Sequence, residues 1–252
     1  MKKIVLLLHL ICLTGLLKAQ DIFVAKGKIE FERKLNFHKS MEALSDDDND
    51  KTWFEMIKKS TPPVITNYFD LYFNDDQTLY KPGREAPQAQ KVPEWALGPS
   101  SDNTVFTDLK KEQTISLKNV YENTFLITDS LRKIDWRITA DKRDIAGFEC
   151  RKAVGKIMDS VYVIAFYTDQ IVTNGGPESF SGLPGMILGI AIPRINTTWF
   201  ATKLELVEVK PEDIAAPKKG KKVNNKELLI QLKDVMKNWG KYGQRNIWNI
   251  MI

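Results

Sequence analysis

The chain has 252 residues, 43% hydrophobic and 27% charged, which is enough for one globular domain with a real core. Two cysteines and two histidines exclude a disulfide scaffold and the Cys- or His-rich ligand sets of zinc sites. The formal charge of +5 falls once the first residues are set aside, and its uneven distribution makes it poor support for nucleic acid.

Met1-Lys2-Lys3, the apolar run Ile4 to Leu17 and then Lys18-Ala19-Gln20 have the layout of a secretory signal over residues 1–20. The run is too short for a membrane span, so the expectation is cleavage after Ala19 or Gln20 and a periplasmic or secreted product. Cys12 has no small residue just before it, which argues against a lipoprotein signal. Cleavage removes three lysines and no acid, leaving 34 bases against 32 acids and Cys150 as the sole cysteine. Of these bases nine lie in Pro217–Ile252, beside only Glu227 and Asp234, so an acidic body carries a basic tail.

Gly27, Ile29, Phe31, Arg33, Leu35 and Phe37 alternate with polar residues, the period of a strand with one wet face. The acidic run Ser45 to Asp50 reads as a solvated loop capping a helix that ends before Pro62-Pro63. Asp46, Asp48 and Asp50 have calcium-loop spacing, but Lys51 stands where that loop requires glycine and no glutamate closes it, so no metal is expected. Phe69, Leu71 and Phe73 lead through Asn74 to Gln77 into a hairpin. A proline-rich loop runs from Pro82 to Asn103, with Trp95 as its aromatic of interest.

Strands are predicted over Thr114–Val120, Thr124–Thr128 and Lys133–Thr139, then a turn at Asp141-Lys142-Arg143-Asp144, and strands over Gly147–Val154 and Val161–Thr168. Gly175-Gly176-Pro177 reads as one turn. Gly182-Leu183-Pro184-Gly185 reads as a type II turn, with Pro184 presetting φ and Gly185 supplying the positive φ that follows. Met186-Ile187-Leu188 leaves it as a buried strand, and Asn196 to Val209 alternates again. The fold class expected is mainly β (α+β): a curved antiparallel sheet, half-barrel or sandwich-like, over residues 21–216, with a helix near the N-terminus. Residues 217–252 read as a basic linker and one amphipathic C-terminal helix near Lys226 to Gly240. That helix either docks on the body or meets an anionic membrane surface.

The segment GGPESFSGLPGMILGI, Gly175 to Ile190, resembles the signature of the GLPGLI family of exported bacterial proteins, with Met186 in place of its second leucine. Ile145 to Ala153 and Phe166-Tyr167-Thr168 are similar to further blocks of that family. The resemblance implies motif residues Gly176, Pro177, Phe180, Gly182, Leu183, Pro184 and Gly185, and implies no activity. The strand pattern is also similar, at the level of fold alone, to the half-barrel lipoprotein carriers of the periplasm.

No P-loop, nucleophile elbow or cofactor motif occurs, and His38 alone makes no relay. Catalytic residues are therefore not assigned and no cofactor is expected. Cys150 is the possible reactive side chain. Arg151 and Lys152 follow it, but the adjacent residue of a strand points to the opposite face and neither need approach the sulfur, which favours a buried hydrophobe. Two functions remain: a non-enzymatic binding or carrier protein for an apolar small molecule or an envelope protein, and an envelope hydrolase using carboxylates or Cys150. A pocket lined by aromatic and aliphatic side chains favours the first, and clustered carboxylates favour the second.

Overall fold

The computed structural model describes residues 23–44, 48–87, 92–99, 101–158 and 160–252, with the backbone alone for 48–51, 94 and 95. The predicted signal segment, most of the acidic run at 45–50 and the Trp95 side chain lie outside the described residues.

Among the described residues, twelve strands form one open, curled sheet: β1 (Gly27–Asn36), β2 (Val64–Phe73), β3 (Gln77–Pro82), β4 (Thr104–Asp108), β5 (Gln113–Val120), β6 (Asn123–Ser130), β7 (Arg137–Ile145), β8 (Phe148–Ile157), β9 (Val161–Thr168), β10 (Met186–Ile192), β11 (Thr197–Glu205) and β12 (Lys221–Val223). Their spatial order is β12-β6-β5-β4-β3-β2-β1-β11-β10-β9-β8-β7, so β1 lies in the middle between two meanders. All pairings are antiparallel except β12 beside β6. The expected mainly β half-barrel is what forms.

The period-two pattern on β1 explains its position. Gly27, Ile29, Phe31, Arg33 and Leu35 are buried, while the alternate residues make a charged ladder on the outside. Lys28 bridges Asp70 of β2 at 3.2 Å and Glu205 of β11 at 3.4 Å, and Arg84 reaches Glu30 at 2.8 Å. The concave side holds the main core, including Phe31, Phe69, Leu71, Phe73, Ile187, Ile190 and Trp199.

The turn expected at Asp141–Asp144 is a correction. Those residues lie within β7, and the chain reverses at Ala146-Gly147, where φ is +50° and +86°. Two consecutive positive φ values suit a two-residue hairpin, whereas the polar run marks an exposed edge strand. Lys142 and Asp141 there pair with Glu149 and Lys152 of β8 at 2.7 and 2.8 Å. The strand placed at Lys133–Thr139 accordingly starts later, because Ile134 and Trp136 turn inward onto Gly155: a Cβ there would meet them at 2.5 and 2.8 Å.

Five α-helices are described: α1 (Phe37–Glu42), α2 (Asp48–Ser60), α3 (Glu94–Leu97), α4 (Asn225–Val235) and α5 (Gly240–Met251). Asn36 caps α1 by accepting from Lys39 N at 3.0 Å, and Asn224 with Glu227 forms a capping box on α4 at 2.9 and 3.0 Å. The tail therefore carries a strand and two helices in place of a linker and one helix. The chain leaves α4 after Val235 and starts α5 at Gly240, whose φ is +52°. Leu228, Leu232, Met236, Ile247 and Ile250 pack with Val120, Phe125 and Ile127 of β5 and β6.

Candidate functional site

The segment Gly175–Gly185 folds into the concave side as a plug between β9 and β10. Gly176 is needed for closeness, since a Cβ would stand 2.8 Å from Ile187 Cβ. Pro177 O accepts from Phe180 N at 3.2 Å, and this turn holds Glu178 at a φ of +55°. A glutamate in the left-handed region costs about 1–2 kcal/mol. Phe180 and Leu183 are buried in the main core, and Trp136 Nε1 donates to Ser181 O at 3.0 Å. Gly185 has the expected positive φ, +136°, but the turn is not type II. Gly185 N donates to Leu183 O at 2.8 Å, which closes a three-residue turn on Pro184.

The strained turn drives Glu178 into a polar interior. Glu178 is 1% exposed, and its Oε2 accepts from Asn103 Nδ2 at 3.0 Å. Arg33 of β1, Lys118 of β5 and Arg132 all act on this carboxylate electrostatically, so three cations face one acid. Burial pushes the Glu178 carboxyl up, against the opposing pull of Lys118 and Asn103. Burial also lowers Lys118 to about 8. Lys118 Nζ donates to Ile250 O at 2.9 Å and Arg132 to Met251 O, which fastens the end of α5 to the sheet. Among the described residues six buried polar atoms have no partner within the protein: Arg33 Nε, Tyr80 Oη, Asn103 Oδ1, Arg132 Nη1, Glu178 Oε1 and Trp199 Nε1. Beside Lys118, Arg132 and Ser179 a polar hollow of about 20 Å³ is large enough for one water.

A larger cavity opens on the other side of Arg33. It has a volume of about 500 Å³, within the range of small-molecule sites. Leu35 of β1, Phe37 and Met41 of α1 and Trp53, Phe54 and Ile57 of α2 line one side. Ala96 and Leu97 of α3 and Tyr242, Arg245, Asn246 and Asn249 of α5 line the other. No carboxylate occurs among the described lining residues. Among the described lining residues the charged groups are Arg33 and Arg245.

Cys150 is fully buried in β8, its Sγ 3.5 Å from Phe148 O. Burial, with Asp144 nearby, pushes the thiol up to about 12, the opposite of an activated nucleophile. It touches neither the cavity nor the polar interior. His38 lies in α1 with Nε2 3.0 Å from Thr61 O. The motif residues Gly176, Pro177, Phe180, Gly182, Leu183, Pro184 and Gly185 come together as one loop, yet none lines the cavity. The chemically distinctive member is Glu178, which the motif reading passed over, and it gathers Arg33, Lys118 and Arg132 from remote segments. One signal was available: Arg33 falls in the apolar register of β1, where a charged residue is an anomaly.

Residues 155–189, from β8 through the plug to β10, match a family described as "Protein of unknown function (Porph_ging)". No curated protein matches the chain in sequence. Among solved structures, PNGF-II in its P21 space group aligns with a TM-score of 0.51 at 14% identity, over 85% of this chain and 34% of that one. The C2 form aligns with a TM-score of 0.51 at 15% identity, over 85% and 33%. This chain thus spans about a third of the length of those proteins, and at such identity the likeness is one of fold. An uncharacterized conserved protein from Thermus thermophilus aligns at a TM-score of 0.37 and 7% identity, over 79% of this chain and 90% of that one.

Proposed function

We propose that the chain is a non-enzymatic binding or carrier protein of the cell envelope that holds an apolar ligand in the cavity between β1, α1, α2, α3 and α5. One observation carries this reading: about 500 Å³ walled by leucine, isoleucine, phenylalanine, methionine and tryptophan side chains, with no carboxylate among the described lining residues. The hydrolase reading needs paired carboxylates or an activated Cys150 facing a pocket. Glu178 is 1% exposed and Cys150 0%, so neither supports it. The signal-like segment at residues 1–20 supports export to the periplasm or beyond, and the Gly175–Ile190 segment supports membership of the GLPGLI family, as a finer reading of the match at 155–189.

The test is titration of the purified chain with N-phenyl-1-naphthylamine, a neutral apolar fluorophore. Saturable binding at one site is expected, with loss of binding in Ala96→Phe, whose added ring enters the cavity. Absence of saturable binding in the native protein overturns the reading.

A further inference from the structure

The two arginines on the cavity wall specify the ligand more closely. Arg245 is 8% exposed, and its guanidinium donates only to neutral oxygens: Nη1 to Ser40 O at 3.2 Å, Nη2 to Ile195 O at 2.8 Å and Nη2 also to Ser40 Oγ. Those three bonds leave two of its five N–H donors for another partner. Arg33 is 2% exposed, donates Nη1 to Asn67 Oδ1 at 3.1 Å, and has no partner for Nε.

A buried guanidinium is ordinarily matched by an oxyanion, because leaving water costs more than neutral hydrogen bonds return. Among the described residues no carboxylate pairs with Arg245, and burial alone lowers it, to about 10. Arg33 has Glu178 on its inner side, but Lys118 and Arg132 share that one carboxylate. The cavity thus joins an apolar wall to two under-neutralised cations.

We infer that the ligand is an amphiphile: an apolar chain ending in an oxyanion, with its chain against Leu35, Phe54 and Ile57 and its head group on Arg245 and Arg33. This rests on the reading of the cavity as a ligand site and adds the charge and polarity of the ligand. The planar fork of each guanidinium suits a carboxylate or a phosphate monoester, and both offer paired oxygen acceptors of a kind not found among the described lining residues.

Calorimetric titration of the intact chain with dodecanoate, dodecyl phosphate, dodecanol and dodecyltrimethylammonium tests it. At least one of the two anions should bind roughly tenfold or more tightly than the alcohol, as charge-assisted hydrogen bonds require. Dodecanoate ahead identifies a carboxylate head, and dodecyl phosphate ahead a phosphate one. Arg245→Met should lower the ratio of anion to dodecanol affinity at least severalfold relative to the native chain, and a folded variant with an unchanged ratio overturns the inference. The head-group comparison uses the native protein and so stands if the variant does not fold. Alcohol and anions binding equally, or a preference for the ammonium, would overturn the inference and leave the apolar site intact. Binding of none of the four overturns both.

Discussion

Two glycines in one loop separate strain from space. Gly182 and Gly185 both hold a positive φ, +88° and +136°. A Cβ on Gly182 would meet nothing nearer than Trp136 Nε1 at 3.6 Å, whereas one on Gly185 would stand 2.0 Å from Thr168 O and 2.7 Å from Thr168 C. Gly182→Ala should therefore cost only the backbone strain of an L-residue at positive φ, about 1–2 kcal/mol. Gly185→Ala adds an overlap with backbone that is itself paired, since Thr168 lies opposite Met186 in the β9–β10 ladder. Relief requires about 1 Å of movement to reach the ~3 Å below which Cβ contacts do not occur. Strain of about 1–3 kcal/mol and overpacking of about 1–3 kcal/mol then place the loss at about 2–6 kcal/mol. In a domain this size that lowers Tm by roughly 4–24 °C. Urea unfolding followed by tryptophan fluorescence reads the difference directly. If Gly185→Ala falls within about 1 kcal/mol of Gly182→Ala, the close approach to Thr168 is refuted.

Cys150 should resist thiol reagents in the native chain and react on denaturation, because its thiol is buried and pushed up to about 12; rapid native labelling would contradict this. Lys118 gives a pH prediction. Below about 8 both folded and unfolded chains hold its proton and the burial penalty is fully present, while between 8 and 10.5 only the unfolded chain holds it, so the contribution of Lys118 to stability rises with pH by about 3 kcal/mol. Unfolding of the native chain against Lys118→Met from pH 7 to 10 measures it, and a constant difference refutes it. Mass spectrometry of the exported protein should give an N-terminus at Gln20 or Asp21; an intact Met1 overturns the signal reading.

Strand identity was largely legible because the polar face of β1 and the hairpin at Asn74–Gln77 follow simple periodicity. β4 was not, since Thr104–Asp108 is only five residues long and follows a proline-rich loop that hides its start. The edge β7 was misread because charges at 141–144 look like a turn, although charge is what an exposed edge carries. The motif loop was legible through its glycines and prolines. Its purpose was not, because Glu178 draws its meaning from Arg33, Lys118 and Arg132, brought to it only by the curl of the sheet. The cavity was equally hidden: Arg33, Ile57 and Arg245 come from three distant segments.

The tail decides whether α4 and α5 belong to the domain or serve as an anchor. Val223, Leu228, Leu232, Met236, Ile247, Ile250, Met251 and Ile252 are all buried. At about 1.5–3 kcal/mol each their burial amounts to roughly 12–24 kcal/mol gross, comparable with or above the entire net stability of about 5–15 kcal/mol expected for a domain. Lys118, Arg132 and Ser179 would lose their acceptors on Ile250, Met251 and Ile252 as well. Deleting Pro217–Ile252 should therefore leave a body that does not melt cooperatively and aggregates through the exposed face of β5 and β6. Salt separates this from a membrane role. Helices held by apolar burial keep the full chain's Tm at about 0.5 M salt, whereas attachment to anionic vesicles through the lysines weakens steeply as the Debye length falls below ~5 Å. A truncated body with native Tm, together with salt-sensitive vesicle binding by the full chain, would make the tail an anchor and remove α5 as a necessary wall of the cavity.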